Sequence, residues 1–310
     1  RLQGDWSSDV CSSDLKSTPS ATILLLNMTD PGSHRAEINR ISKRLTRSHP
    51  QLQGIWLLKG ESGDDYYLNV HPGHSQKLHG LDTLKSEQNL LFSPLCFTQI
   101  NPFAVPLMLE ASKNWLGDSS LPLLDLYCGY GLFSLALGRT GPSYGFEISR
   151  EAIHWARRNG KRLHQNQARF DTWDLSQPLP DSRMPQSAWV AVLDPPRSGA
   201  SVELIQQLAS HEPLKVVHWI CDVEQTVPQV RAWLEAGYRV SEAVALDMFP
   251  GSDNIELGLL LEPGSSADTA KTSGLSSKVG DSPPCKSPKK PARSPVSSTE
   301  RGARPNRPKP

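Results

Sequence analysis

The stretch LPLLDLYCGYGLFSLALGR, residues 121–139, decides the fold. A near-continuous apolar run breaks at two glycines, Gly129 and Gly131, and resumes with apolar residues at helical spacing. A strand without polar alternation is one buried on both faces, the habit of parallel sheets covered by helices. The glycines allow a sharp turn and a close approach of backbone to a ligand. The helix that follows would present its N-terminal N–H groups there.

Working outward, the same alternation repeats. Residues 142–149, 168–174, 188–196 and 214–221 read as strands, and 101–116, 150–166, 200–211 and 226–238 as helices. Strand–helix repetition predicts an α/β fold, a doubly wound and mostly parallel sheet. The last two β-rich runs, 239–250 and 255–263, have no helix between them, so they predict a C-terminal antiparallel hairpin at or near the edge. Upstream, ATILLLNM (21–28), GIWLLKG (54–60), DYYLNV (65–70) and NLLFSP (89–94) read as strands around one helix within 33–50, ended by Pro50. This part reads as a small α+β domain over 16–101, ahead of the larger domain at 102–263.

The two ends stand apart. DWSSDVCSSDL, residues 5–15, reads as the translation of a common sequencing adapter, so residues 1–15 are expected to be an artefact outside the fold. Residues 264–310 hold ten Lys and Arg against three Asp and Glu, a balance of +7. With almost nothing apolar to bury, this basic tail should be disordered, either a solubilising appendage or a source of weak, salt-sensitive RNA affinity. The chain carries +1 overall, so residues 1–263 carry −6. Five cysteines lie far apart without metal-ligand spacing, which predicts no metal site, no iron–sulfur cluster and a reducing compartment. No apolar run approaches the ~20 residues of a membrane span, so a cytoplasmic protein without membrane contact is expected.

Ligands of such sheets bind beyond the carboxyl ends of the strands. Glu147 ends the second strand, 18 residues after Gly129, where an acidic side chain commonly accepts from ribose hydroxyls. Asp174 ends the third, placed to accept from an adenine amino group. The loop lacks a third glycine at dinucleotide spacing, because Ser134 stands there. S-adenosyl-L-methionine therefore fits better than a dinucleotide. The fourth strand ends LDPPRSG, whose two prolines stiffen the loop that projects Asp194. The fifth ends VVHWICDVEQT, residues 216–226, and by itself this run leaves Cys221 a buried filler as readily as a nucleophile.

Taken in order, DLYCGYGLFSL, GFE, DPPRSG, a strand-ending Cys, LDMFP and a following Glu resemble the RNA uracil-5 methyltransferases. LLFSPLCFTQINPFAV resembles that family's F-x-Q-V-N segment, and the likeness covers about residues 20–262. The resemblance implies a Rossmann-like methyltransferase sheet preceded by a central-type domain. It implies cofactor contacts from Gln99, Tyr127, Glu147, Asp174 and Asp194, beside the loop of Gly129 and Gly131 already read as an approach to ligand, with Cys221 as nucleophile and Glu256 as base. It implies an RNA substrate, tRNA or rRNA; the chain is expected to be a monomer.

Departures fall at the catalytic pair. The family reads Ser-Cys-Asn-Pro where Ile220, Cys221, Asp222 and Val223 stand, and an acidic Asp222 is expected to raise the thiol pKa. Gly251 and Asn254 replace the family's histidines before the base, Thr226 comes one place late, and Leu132 occupies a position that would contact cofactor. The family's RNA-binding β-barrel has no counterpart in these residues, which points either to a truncated gene or to a branch without it. Two alternatives stay open: a methyltransferase for another base or substrate with Cys221 structural, and a catalytically silent RNA-binding relative.

Overall fold

The computed structural model describes residues 10–18, 21–28, 34–59, 75–248 and 255–264, all within one compact unit, Arg1–Ser265. The expected strand at 65–70, the replaced positions Gly251 and Asn254, and the tail beyond Gly264 lie outside the described residues.

The first sheet is built from β1 (Val10–Thr18), β2 (Ala21–Met28), β3 (Leu52–Lys59) and β4 (Ser75–Gly80), in that spatial order. Helix α1 (Arg35–Ser48) crosses between β2 and β3, which run parallel. Residues 10–15, expected to stand outside the fold, pair with β2 as part of the edge strand β1. An edge needs only a backbone partner, so little in the composition of β1 announces it. The polar strand β4 likewise has no apolar alternation to reveal it. Two short strands follow, β5 (Leu84–Lys85) and β6 (Leu91–Phe92), and pair with each other.

Then come α2 (Val105–Leu116), β7 (Leu123–Leu126), α3 (Leu132–Ala136), β8 (Ser143–Glu147), α4 (Arg150–Arg162) and β9 (Ala168–Thr172). Next are β10 (Val190–Leu193), α5 (Val202–Ser210), β11 (Lys215–Ile220), α6 (Val223–Glu235), β12 (Tyr238–Leu246) and β13 (Glu256–Pro263). The second sheet has the order β12-β13-β11-β10-β7-β8-β9. β7 to β11 are mutually parallel, and β13 is antiparallel to both its neighbours. The expected hairpin is therefore present, with its second strand inserted between the edge and β11.

Both faces are covered, as the apolar strands require. α5 and α6 bury Leu204, Ile205, Leu208, Ala232 and Trp233 on one face. α2, α3 and α4 bury Met108, Trp115, Phe133, Ile153 and Ala156 on the other. That second core continues into the small sheet through Ile23, Leu25 and Leu58, across the expected division at residue 101. The fit is tight where β11 meets β13. A Cβ on Gly258 would stand 2.6 Å from the Trp219 ring, so only glycine suits this position. Trp219 in turn donates to the Ser112 hydroxyl at 3.1 Å and stacks on Trp115, fixing α2 against the sheet.

Candidate functional site

Strand order reverses at β7, from which β8 and β9 extend one way and β10 and β11 the other. Ligand crevices of open α/β sheets form at such a point, beyond the carboxyl ends. Side-chain alternation then decides which residues share it. Val190 and Val192 of β10 face the α2 side, and two residues on comes Asp194. Val217 and Trp219 of β11 face the same side, and two on comes Cys221. On β13, Leu260 and Gly258 share that face and lead back to Glu256. Period-two geometry thus aims Asp194, Cys221 and Glu256 into one space.

The end of the crevice at β11 and β13 is close-knit. β11 and β13 pair Trp219 with Gly258 and Ile220 with Leu257, so the next step of the same register sets Cys221 across from Glu256. Cβ atoms directly opposite in an antiparallel pair stand about 4.5–5.5 Å apart. Glu256 is 1% exposed, and neither carboxylate oxygen has a hydrogen-bond partner among the described residues. Burial, reinforced by Asp194, pushes its pKa up to about 8. Asp194 is raised to about 7 by burial, against a 2.8 Å hydrogen bond donated to its Oδ2 by Gln99 Nε2. Gln99 and Asp194, 95 residues apart in the chain, are brought together here.

Cys221 is half-buried with a free thiol. Burial, then Glu256 and Asp194, push that thiol up to about 12, while Arg197 of the LDPPRSG loop pulls it down. Asp222, expected to raise it, is not among the causes. Its carboxylate is engaged elsewhere, accepting the Glu224 N–H at 2.9 Å as the N-cap of α6. This explains the departure from Asn-Pro. Asn and Asp are equivalent N-caps, and the first helical position tolerates proline without requiring it. Asp222 and Val223 thus keep the helix start that seats Cys221 one residue ahead of its cap. Asp222→Ala should cost about 1 kcal/mol of stability, read as a lower urea midpoint with unchanged slope, whereas Asp222→Asn should cost little.

The other end of the crevice gathers around β7 and β8. Glu147, at the tip of β8, accepts the Gly129 N–H at 3.3 Å and the Ser149 N–H at 2.8 Å. Burial raises its pKa. Tyr127 holds a left-handed φ of +63°, a strain on the order of 1–3 kcal/mol that clusters at binding sites. Burial, then Asp174 and Glu147, raise its hydroxyl to about 12. Gly129 is also left-handed, and nothing lies within 4 Å of where its Cβ would be. Backbone is thus bare to a ligand at that point. Gly131, at φ +91°, starts α3 instead, and a Cβ there would press on Leu135.

Three expectations need correction. Asp174 lies two residues beyond β9, exposed, its Oδ1 accepting the Ser176 N–H at 2.9 Å. The helix after the glycine loop has five residues, shorter than the run at 131–139 implied. Leu132 is buried within the core, so its side chain packs and does not line the crevice.

Asp125 was missed. It is 0% exposed, its Oδ2 accepts the Ser134 N–H at 2.8 Å and hydroxyl at 2.6 Å, and burial raises it to about 7. A lone carboxylate inside LLDL was the available signal. Arg197 was also passed over, although it stands in the quoted LDPPRSG.

Similarity to known proteins follows this geometry. The chain is 29% identical over 190 residues to an uncharacterized RNA methyltransferase of Caldanaerobacter subterraneus subsp. tengcongensis, covering 60% of this chain and 42% of that protein. It is 34% identical over 178 residues to the 23S rRNA (uracil(1939)-C(5))-methyltransferase of Shewanella denitrificans, covering 55% and 38%. The chain spans less than half the length of either relative. The crystal structure of Pyrococcus abyssi tRNA (uracil-54, C5)-methyltransferase in complex with S-adenosyl-L-homocysteine shares the fold. Its TM-score is 0.59 at 21% identity, over 80% of this chain and 58% of that one. The family model for tRNA (uracil-5-)-methyltransferase matches residues 86–263, which run from the strand before α2 to the end of β13 and hold every residue of the crevice. Over that majority of its length, the chain belongs to the tRNA (uracil-5-)-methyltransferase family.

Proposed function

We propose that the protein is an S-adenosylmethionine-dependent RNA methyltransferase acting at uracil C5, with Cys221 as nucleophile and Glu256 as base. The observation that carries the reading is the placement of Cys221 across from an unpartnered, buried Glu256 on the crevice face, beside Asp194 and Gln99.

The residues present suit the cofactor. The bare backbone at Gly129 leaves room for it. Each oxygen of Glu147 retains a lone pair for ribose hydroxyls beyond the N–H it already accepts. Tyr127 and Asp174 flank the same end, and Gln99 and Asp194 stand between it and Cys221. Glu147, Asp194 and Glu256 would, in their ionised forms, also favour a cation such as a sulfonium beside them. When bound, S-adenosylmethionine supplies an electrophilic methyl group.

The chain's own chemistry is activation of the ring. Uracil C5 is a poor nucleophile, and addition of the Cys221 thiolate to C6 makes C5 carbanion-like. The C6–S bond forms, and the ring electrons displaced to O4 return through C5 to take the methyl. Glu256 then removes the C5 proton, the C5–C6 double bond reforms, and the thiolate leaves. A base within RNA must be extruded to reach this depth.

A second reading keeps the cofactor but makes Cys221 structural, favoured by the burial that holds its thiol protonated. Incubation with methyl-labelled S-adenosylmethionine and unmodified rRNA and tRNA transcripts, followed by nucleoside analysis, separates them. The expected product is labelled 5-methyluridine. Label in any other nucleoside, or in none, removes the proposal.

A further inference from the structure

Helix α1 carries a charge pattern that the crevice does not use. It buries Ile38 and Ser42 and exposes Arg40, Lys43, Arg44 and Arg47. Spacing of three, four and seven residues sets these four on one stripe, about 10 Å long at 1.5 Å per residue. With Ser48 they line a shallow depression of about 500 Å³. Arg40 meets Glu37 at 3.4 Å, and Lys43, Arg44 and Arg47 have no carboxylate partner among the described residues. Such a stripe is anomalous in residues 1–263, whose balance is −6. Four cations held this close repel one another, and an anionic partner relieves the repulsion.

Its place in the fold says what it can and cannot do. Ile23, Leu25 and Leu58 turn one face of the small sheet to the methyltransferase core. Met28 and Leu57 turn the other face to Ile38 of α1. The stripe therefore lies on the far side of the small sheet from the crevice, and it contacts no reacting group. A membrane-surface helix needs an exposed apolar face to insert, whereas the apolar face of α1 is spent on the sheet.

We propose that the α1 stripe docks the phosphate backbone of the RNA substrate, away from the target base, contributing affinity without chemistry. This rests on the reading of the protein as an RNA methyltransferase. Phosphate contacts position a nucleic acid without reading its sequence, and each one releases counterions.

The test uses the full chain with Arg40, Lys43, Arg44 and Arg47 all changed to Gln, and a second variant with the three Arg changed to Lys. The probe is a fluorescein-labelled, uridine-containing stem–loop RNA, titrated across salt concentrations. The Gln variant is expected to weaken RNA binding about tenfold or more at low salt and to lower the log–log salt slope by about three. The Lys variant should bind as wild type does. KM for RNA should rise with kcat and S-adenosylmethionine affinity unchanged, at a melting temperature that confirms folding. Equal affinity and slope in a wild type that methylates RNA would overturn the docking surface alone. So would loss of binding to phosphatidylserine vesicles with RNA affinity intact. Absence of any RNA binding by wild type would remove both the surface and the functional reading.

Discussion

Cys221→Ala is expected to abolish methyl transfer to RNA, lowering turnover by about 10³-fold or more, as loss of a nucleophile that shares its work with one base does. Alanine removes only the Sγ from a half-buried position ahead of the α6 cap, so the fold and cofactor affinity should be kept. The sharper readout is covalent. With 5-fluorouridine in place of the target uridine, C5 carries no proton for Glu256 to take. Once C5 has taken the methyl, it holds fluorine and carbon only and the wild-type C6–S bond cannot break. With S-adenosylmethionine present, a denaturing gel should therefore show protein shifted by RNA. Cys221→Ala should show none. Retained activity in the variant would sink the assignment, and the alternative with a structural cysteine would stand.

The same electrostatics set a pH dependence. Burial, Glu256 and Asp194 hold the Cys221 thiol near 12, so little thiolate exists at neutral pH in the free protein. Two features oppose this. Arg197 pulls the thiol down, and the N-terminus of α6 begins beside it, a favourable end for negative charge. Formation of the adduct should therefore accelerate as pH rises through the neutral range.

Much of this was legible in the sequence because burial on both faces writes itself as continuous apolar runs. The strand at 21–28 and the strands at β7, β8, β10 and β11 fall inside the expected segments for that reason. β1 and β4 escaped because edge strands are selected by backbone pairing, which composition records weakly. The insertion of β13 between β11 and β12 was not legible, since adjacency in a hairpin does not say which strand lies inside. Yet that insertion is what sets Glu256 across from Cys221. Glu147 and Asp194 were readable from their strand ends, whereas Asp125 required knowing that its partner Ser134 folds back upon it. Asp222 was misread in sequence because its charge was counted and its capping geometry was invisible.

Glu256→Gln is expected to change activity and stability in opposite directions. Glutamine keeps the shape and removes the base, so methylation should stop with the C5 proton in place and the C6–S bond intact. Turnover should fall by about 10²–10⁴-fold while a methyl-labelled protein–RNA adduct accumulates. In wild type the base must be ionised to release product, so the breakdown of the methylated adduct should quicken with pH up to about 8, the value to which burial and Asp194 raise Glu256. Adduct formation, which needs the thiolate, should go on rising above it. Stability runs the other way. A carboxyl raised above its ordinary value favours folding most when protonated, so its contribution is complete at pH below that ordinary value and is lost as pH rises toward 8. The substituted glutamine would titrate at neither pH, and it would still place polar atoms where Glu256 has no partner. Relative to wild type, Glu256→Gln should therefore melt at a similar temperature at pH 5 and at a higher one at pH 8, by on the order of 1–3 kcal/mol of stability. A merely structural glutamate could give the melting result but would not trap the adduct, and a variant that turns over freely would show that the proton leaves by another route.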